Sequence, residues 1–116
     1  MMKAKVLLLT VAALLLLLGC EHKKISEIAN DPAQFKNREV LIVGKVVSSF
    51  GALGRGVYEV DDGTGRIWVL SASNGVPSAD AYVGVKGHVT QGVTFMGRNY
   101  ATVLRESGRH TEKKVK

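Results

Sequence analysis

The alternation of apolar and polar positions is clearest between Tyr58 and Leu70, where two short apolar runs flank the turn-forming cluster Asp61-Asp62-Gly63-Thr64-Gly65. Glycine reaches positive φ without a Cβ clash and Asp bonds its own backbone, so this pattern predicts a β-hairpin. Strand side chains alternate between faces, and the apolar positions therefore set the register. The predicted pairs are Val60 with Ile67, Tyr58 with Val69 and Glu59 with Trp68, with a loop at 62–65. The hairpin then has a core face (Tyr58, Val60, Ile67, Val69) and an outer face (Glu59, Arg66, Trp68, Leu70).

Three further segments have the composition of strands. Val40 to Val47 is rich in β-branched residues, and Gly44 in its middle predicts a bend. Ala81 to Val89 places valines and a glycine on one face and polar side chains on the other. Tyr100 to Arg105 supplies the fifth strand.

The segments between these strands read as connections. Ser48–Gly56 and Gln91–Asn99 are rich in glycine and are predicted to be loops. Ser71–Asp80 contains Gly75 and Pro77, which break the sequence too often for a good helix.

A short N-terminal helical segment precedes the sheet. Ile25 and Ile28 share one face of a helical turn, and Asp31 followed by Pro32 is a helix restart with an N-cap and a proline at N1. We expect Ile25, Ile28 and Phe35 to close one open end of the predicted barrel.

Together these elements predict an all-β fold, a small five-stranded Greek-key barrel, over residues 25–106. Three sets of spaced positions recur along these strands: Val40, Ile42, Gly44 and Val46, then Tyr58, Val60, Asp62-Gly63-Thr64-Gly65, Ile67 and Val69, then Val83, Val85, Gly87 and Val89. In these residues the chain resembles the OB-fold of the anticodon-binding, nucleic-acid-binding type, and it departs from that family in lacking a helix between strands three and four. Residues 107–116 are polar, basic and without periodicity, and are predicted to form a disordered tail.

The N-terminus has the pattern of an exported, lipidated protein. Lys3 and Lys5 precede the apolar run from Val6 to Leu18, which falls short of the ~20 residues that a spanning helix needs. The ending Leu17-Leu18-Gly19-Cys20 resembles the bacterial lipoprotein box, which implies removal of signal peptide 1–19 and acylation of Cys20, with 20–24 as the tether. An ordinary cleavable signal with an incidental cysteine is the alternative. Glu21 after the cysteine implies the outer membrane, facing the periplasm, if the cell is Gram-negative.

Charge and chemistry narrow the function classes. The formal charge is +6, but beyond the leader 14 basic side chains face 10 acidic ones, and several of the basic ones sit at the two ends. The three histidines share no ligand spacing, Asp61 and Asp62 read as turn formers, and the glycine loops precede neither a helix nor a GK[ST] motif. We therefore expect no enzyme activity, no metal and no cofactor, and since Cys20 is the single cysteine, no internal disulfide.

Binding remains, and the OB-fold resemblance implies its site. Such folds take ligands on the face of strands two and three with the loops joining strands one–two and four–five. The side chains that map onto this surface are aromatic or cationic: Phe50, Arg55, Arg66, Trp68, Phe95 and Arg98. A purely structural role is the alternative for these side chains. Phe50 and Phe95 would then cap the barrel ends, the N-terminal segment would cover Trp68, and Arg66 would pair with Asp61.

The leading functional hypothesis is a lipid-anchored, non-enzymatic binding module of the cell envelope, whose ligand is a protein or an extended polymer. The alternative is a single-stranded nucleic-acid binder, as the fold resemblance implies. The predicted compartment disfavours that alternative, because an envelope lipoprotein seldom meets nucleic acid outside DNA uptake.

Overall fold

The computed structural model describes residues 22–72, 75–95 and 97–111. The two short helices are α1 (Ile25–Asn30) and α2 (Pro32–Phe35), and the five strands are β1 (Glu39–Ala52), β2 (Arg55–Asp61), β3 (Arg66–Ser71), β4 (Tyr82–Phe95) and β5 (Arg98–Thr111). The predicted signal peptide and the lipidation site Cys20 lie outside the described residues and stay predictions.

The strands close into a barrel in the order β1-β2-β3-β5-β4. Neighbouring strands are antiparallel except β3 and β5, which run parallel. This order confirms the predicted all-β, five-stranded barrel with a short N-terminal helical segment. Closure pairs each of the five described strands on both sides, which suits a domain with so few residues to bury.

The β2–β3 hairpin has the register that the apolar pattern predicts. Val60 pairs with Ile67, Tyr58 with Val69 and Glu59 with Trp68. The four residues of the predicted core face are all buried, with exposed fractions of 0 to 4%. Alternation therefore leaves Trp68 on the outside of the barrel.

The N-terminal segment closes the barrel as expected. Ile25, Ile28 and Phe35 are buried within the same apolar cluster as the strand valines. Full burial of such a side chain stabilises by about 1.5–3 kcal/mol. Asp31 caps α2 by accepting a hydrogen bond from the Gln34 N–H at 3.4 Å, and Pro32 opens that helix.

The Asp62–Gly65 loop does more than turn the chain. Its Asp62 Oδ2 accepts the Ile25 N–H at 2.9 Å, and Thr64 Oγ1 accepts the Ser26 N–H at 3.2 Å. Lys24, the residue before α1, provides no side-chain cap, so a loop 37 residues away caps the helix instead. Partial burial opposes ionisation of Asp62, but the hydrogen bonds from Ile25 and Thr64 outweigh it and hold the pKa of Asp62 below its ordinary value.

Two segments that the sequence predicts to be loops, 48–56 and 91–99, are largely parts of strands. β1 continues to Ala52, and Phe50 pairs with Val57. β4 continues to Phe95, and Val93 pairs with Tyr100. The glycine-rich composition suggested loops, but within these two segments the described residues with positive φ are few: Leu53 and Gly54 at the β1–β2 tip, with φ of 56° and 78°, and Gly92 and Gly97, with φ of 70° and 77°. Segment Ser71–Asp80 is not helical in its described part, as the sequence predicts.

The predicted disordered tail is wrong for residues 107–111, and the domain extends past 106. β5 runs to Thr111, with Val85 paired to Arg109 and Val83 to Thr111. Polarity suggested disorder, but a buried polar group holds this segment. Glu106, whose side chain is fully buried, accepts hydrogen bonds from the Tyr58 hydroxyl and from Arg109 Nη1, the latter at 2.9 Å.

Gly44 is required for close packing of β1 against β2. It lies next to Lys45, where β1 changes from pairing with β4 to pairing with β2. At Gly44, a Cβ would stand 2.6 Å from the carbonyl oxygen of Asp61, a distance that real Cβ atoms essentially never show. The glycine therefore lets the backbones of β1 and β2 approach each other.

Candidate binding face

Trp68 is the centre of an aromatic group on the outside of the barrel. The Phe50 ring lies nearly parallel to it, with centroids 6.3 Å apart and planes 26° apart. The Tyr100 ring meets it edge-on at 5.4 Å. We call this surface the aromatic face; its residues are Phe50, Trp68, Phe95, Arg98 and Tyr100.

The extended ends of the long strands build this face. The β1–β2 and β4–β5 hairpins reach beyond the barrel, and they bring Phe50, Phe95 and Tyr100 to Trp68 on β3. Beneath them lies an apolar cluster separate from the barrel core, formed by Val57, Val93, Tyr100 and Val103. The aromatic side chains therefore stand on a packed base, which limits the entropy that they lose when a ligand binds.

Arg98 places a cation over two of the rings. Its guanidinium carbon is 5.4 Å from the centroid of Trp68 and 5.4 Å from that of Tyr100. Such contacts stabilise by about 0.5–1 kcal/mol at exposed sites. Arg98 itself is exposed, so its N–H groups are available to an anionic ligand lying on the rings.

A small open cleft of about 230 Å³ lies beside Trp68. Its lining residues are Phe50, Val57, Phe95, Arg98 and Tyr100. Pockets that enclose whole small molecules have volumes of about 300–1,000 Å³. This cleft therefore suits one ring-sized group of a larger ligand that extends across the face.

Four of the six predicted site residues come together here: Phe50, Trp68, Phe95 and Arg98. Trp68 is half-buried and contacts Phe50, Tyr100 and Arg98. Arg55 begins β2 and is exposed, but it does not line the cleft. Tyr100 was missed because the predicted loop at 91–99 hid its pairing with Val93.

Arg66 is paired with carboxylates, which agrees with the structural role, pairing with Asp61, that the sequence offers for it. Its Nε donates to Asp61 Oδ2 at 3.0 Å, and its Nη1 lies 3.8 Å from Glu59 Oε1. The hydrogen bond from the Gly63 N–H, and then that from Arg66, hold the pKa of Asp61 below its ordinary value. Arg66 is therefore a weaker candidate for ligand contact than Arg98.

The described residues hold no group of three or more His, Cys, Asp or Glu side chains placed to share a metal ion. Within the same ranges, no helix is long and apolar enough to cross a membrane.

Solved structures share this architecture. Aspartyl-tRNA synthetase from Entamoeba histolytica matches with a TM-score of 0.61 and 15% identity, over 80% of this chain and 21% of that one. The OBody bound to hen egg-white lysozyme matches with a TM-score of 0.55 and 17% identity, over 71% of this chain and 88% of that one. The protein is an OB-fold barrel. An aspartyl-tRNA synthetase from Leishmania major Friedlin matches similarly, with a TM-score of 0.59 and 14% identity over 78% of this chain and 21% of that one. The barrel thus spans about a fifth of the synthetases' length. No protein-family model and no curated protein sequence matches the chain.

Proposed function

We propose that the aromatic face binds single-stranded nucleic acid. The observation that carries this proposal is the grouping of Phe50, Trp68 and Tyr100 with Arg98 on the outer side of β3, where OB-folds take oligonucleotides. Bases stack on aromatic rings and phosphates pair with cations, and the face offers both.

The energetics favour a modest, sequence-tolerant interaction. Each stacked base contributes about 1–3 kcal/mol, whatever its identity, because every base has a π face. Arg98 adds charge at the rings, whereas Arg66 is already paired with Asp61. The small cleft admits one ring, so the remaining nucleotides lie across the outer surface.

The structural neighbours support this proposal at the level of the fold. Two of them are aspartyl-tRNA synthetases. Since the barrel matches only a fifth of those chains, no synthetase activity is proposed here. The role is one of binding, without catalysis, cofactor or metal.

A protein or extended polymer of the cell envelope is the second candidate ligand for the same face. Leu53 is fully exposed and Phe50 is 54% exposed, so the β1–β2 tip offers apolar contacts that a protein would cover. The OBody, whose fold is similar to this barrel, is bound to a protein, lysozyme.

We also propose that the barrel is held in the cell envelope by lipid on Cys20. This rests on the sequence Leu17-Leu18-Gly19-Cys20 and on the apolar run before it. Each buried CH₂ of an acyl chain contributes about 0.8 kcal/mol, so several chains hold a small domain firmly. Because Glu21 follows the cysteine, we propose the outer membrane, facing the periplasm, as the location in a Gram-negative cell.

Oligonucleotide binding by the Trp68→Ala variant tests the ligand. We expect Trp68→Ala to weaken the affinity of the full chain for a labelled single-stranded oligonucleotide by about tenfold, since it removes one stacking platform. Fluorescence anisotropy at low salt measures the affinity. Tyr82→Ala, an aromatic truncation on β4 away from this face, is the matched control and should leave it unchanged.

A salt titration separates the two candidate ligands. For nucleic acid, the logarithm of the association constant should fall linearly with the logarithm of salt concentration, because counterions are released. Absence of binding at low salt, or equal loss in Trp68→Ala and Tyr82→Ala, would rule out this nucleic-acid site. A partner captured from envelope extract by wild type but not by Trp68→Ala would then support the protein ligand.

A further inference from the structure

A second exposed surface, toward the other end of the β4–β5 hairpin from Phe95 and Arg98, carries most of its charge as cations. Lys86 and His88 point outward from β4, since their neighbours Val85, Gly87 and Val89 are buried. Arg105 pairs with His88 and His110 with Gly84, so both share the outward side. We call this surface the basic face; its residues are Lys86, His88, Arg105 and His110.

The basic face has one carboxylate neighbour on β1. Glu39 lies opposite His88, and its Oε2 accepts the Ser107 hydroxyl at 3.1 Å. Lys86 and Arg105 supply two basic side chains against this one carboxylate, so the face keeps a positive balance. An open cleft of about 480 Å³ adjoins it, lined by Leu41, Lys86, Ser107, Gly108, Arg109 and His110.

The N-terminal tether leaves the barrel beside this cleft. The Lys23 N–H donates to the carbonyl of Leu41 at 2.7 Å, and Leu41 lines the cleft. Cys20 is three residues before Lys23, and three residues of chain reach at most about 11 Å. A lipid on Cys20 would therefore hold the basic face close to the bilayer surface, where the field of anionic headgroups acts within a Debye length of about 8 Å.

We propose that the basic face docks on anionic phospholipid headgroups, and that a headgroup phosphate enters the cleft between Lys86 and His110. This inference rests on the proposed lipid anchor. Lys86 pairs with Gly108 and Phe95 with Arg98, so the cleft and the tip of the aromatic face lie toward opposite ends of the β4–β5 hairpin, with Arg105, which pairs with Leu70, between them. Docking at the cleft therefore points the hairpin tip, with Phe95 and Arg98, away from the membrane and leaves the aromatic face open to a soluble ligand.

Paramagnetic broadening of NMR signals in nanodiscs tests this orientation. The full chain is reconstituted in discs of phosphatidylcholine alone or with added phosphatidylglycerol, each doped with a nitroxide-headgroup lipid. We expect the amide signals of Lys86 and His110, which line the cleft, to broaden only with phosphatidylglycerol. Trp68 is the single tryptophan, so its one indole N–H signal reports the aromatic face and should stay sharp.

Lys86→Gln should lower the equilibrium constant for docking by about fivefold, since one cation near an anionic surface contributes about 1 kcal/mol. Lys45→Gln is the matched control, because Lys45 is already paired with Asp80 at 3.3 Å, and should change nothing. Two results would overturn the proposal: equal broadening with both lipids, or broadening of the Trp68 indole signal. Loss of docking on addition of millimolar inorganic phosphate at constant ionic strength would also overturn it, and would indicate a free-phosphate site instead. Acyl labelling of Cys20 is measured separately, so a failed anchor and a failed docking face are distinguishable.

Discussion

At the scale of single residues, the Tyr58–Glu106–Arg109 group is the main polar feature of the barrel interior. The Tyr58 hydroxyl donates to Glu106, Ser71 Oγ lies 3.3 Å from the other carboxylate oxygen, and Arg109 stacks over the Tyr58 ring at 5.4 Å. Burial, and then the hydrogen bond to Glu106, raise the pKa of Tyr58 well above its ordinary value. This group ties β2 to the end of β5.

Tyr58→Phe should lower the free energy of unfolding by about 1–3 kcal/mol, because the buried Glu106 carboxylate loses a donor. Urea denaturation measures the change. Tyr82→Phe, at a partly exposed position on β4, is the control and should stay within about 0.5 kcal/mol of wild type. An equal effect of the two substitutions would contradict a structural role for the Tyr58 hydroxyl.

The same residue makes stability depend on alkaline pH. Because the pKa of Tyr58 is raised in the folded state, its contribution is fully present below the unfolded value of about 10 and is lost as pH rises beyond that value. Unfolding curves from neutral pH to beyond that value should therefore show a steeper loss for wild type than for Tyr58→Phe. Parallel curves would count against the raised pKa.

At the scale of elements, close strand approach and long hairpins decide the architecture. β1 passes so close to the end of β2 that only glycine fits at position 44. The hairpin extensions of β1, β4 and β5 then carry Phe50, Phe95 and Tyr100 to the aromatic face. The same 14-residue strands thus build both the barrel and the candidate site.

Gly44→Ala should destabilise the barrel by about 1–3 kcal/mol, because a Cβ there overlaps the Asp61 carbonyl and forces the backbones apart. Gly108→Ala is the matched control: its φ is not positive, and an added Cβ would meet nothing within 4 Å. We expect that substitution to be neutral or to stabilise by up to about 1 kcal/mol. Thermal unfolding of the two variants measures the difference, and equal melting temperatures would refute the close-approach argument.

At the scale of the whole molecule, the barrel presents two surfaces with different chemistry, toward opposite ends of the β4–β5 hairpin. The aromatic face offers stacking to a ligand, and the basic face adjoins the tether that leads to Cys20. A membrane-held binding module requires this division, since a ligand site directed at the bilayer would be covered. Docking of the basic face and location in the envelope therefore both depend on lipid at Cys20.

Metabolic labelling with palmitate tests that anchor. Wild type should incorporate the label, and Cys20→Ser should lose it, because acylation requires the cysteine thiol. A chain with Cys20→Ser and Ser78→Cys restores a cysteine at an exposed position and should remain unlabelled. Label retained in Cys20→Ser, or absent from wild type, would rule out the anchor.

Local pattern sufficed for much of the fold. Alternation set the pairing of Val60 with Ile67 and of Glu59 with Trp68, and the Asp31-Pro32 signal located the start of α2. These features depend on neighbours within a few residues, which is what periodicity and capping preferences encode. The same pattern left Trp68 facing outward, and Trp68 is now the centre of the candidate site.

The tertiary structure alone decided which segments far apart in the chain contact each other. Asp62 caps α1 across 37 residues, and Tyr58 meets Glu106 across 48. Polar composition near the C-terminus predicted disorder because burial of Glu106 and pairing of Arg109 have no local signature. Tyr100 likewise joined Trp68 only through the hairpin extension of β4 and β5. The sequence by itself thus determined the barrel, the register of its β2–β3 hairpin and the outward position of Trp68. Long-range packing decided which side chains surround Trp68 and how far β5 extends.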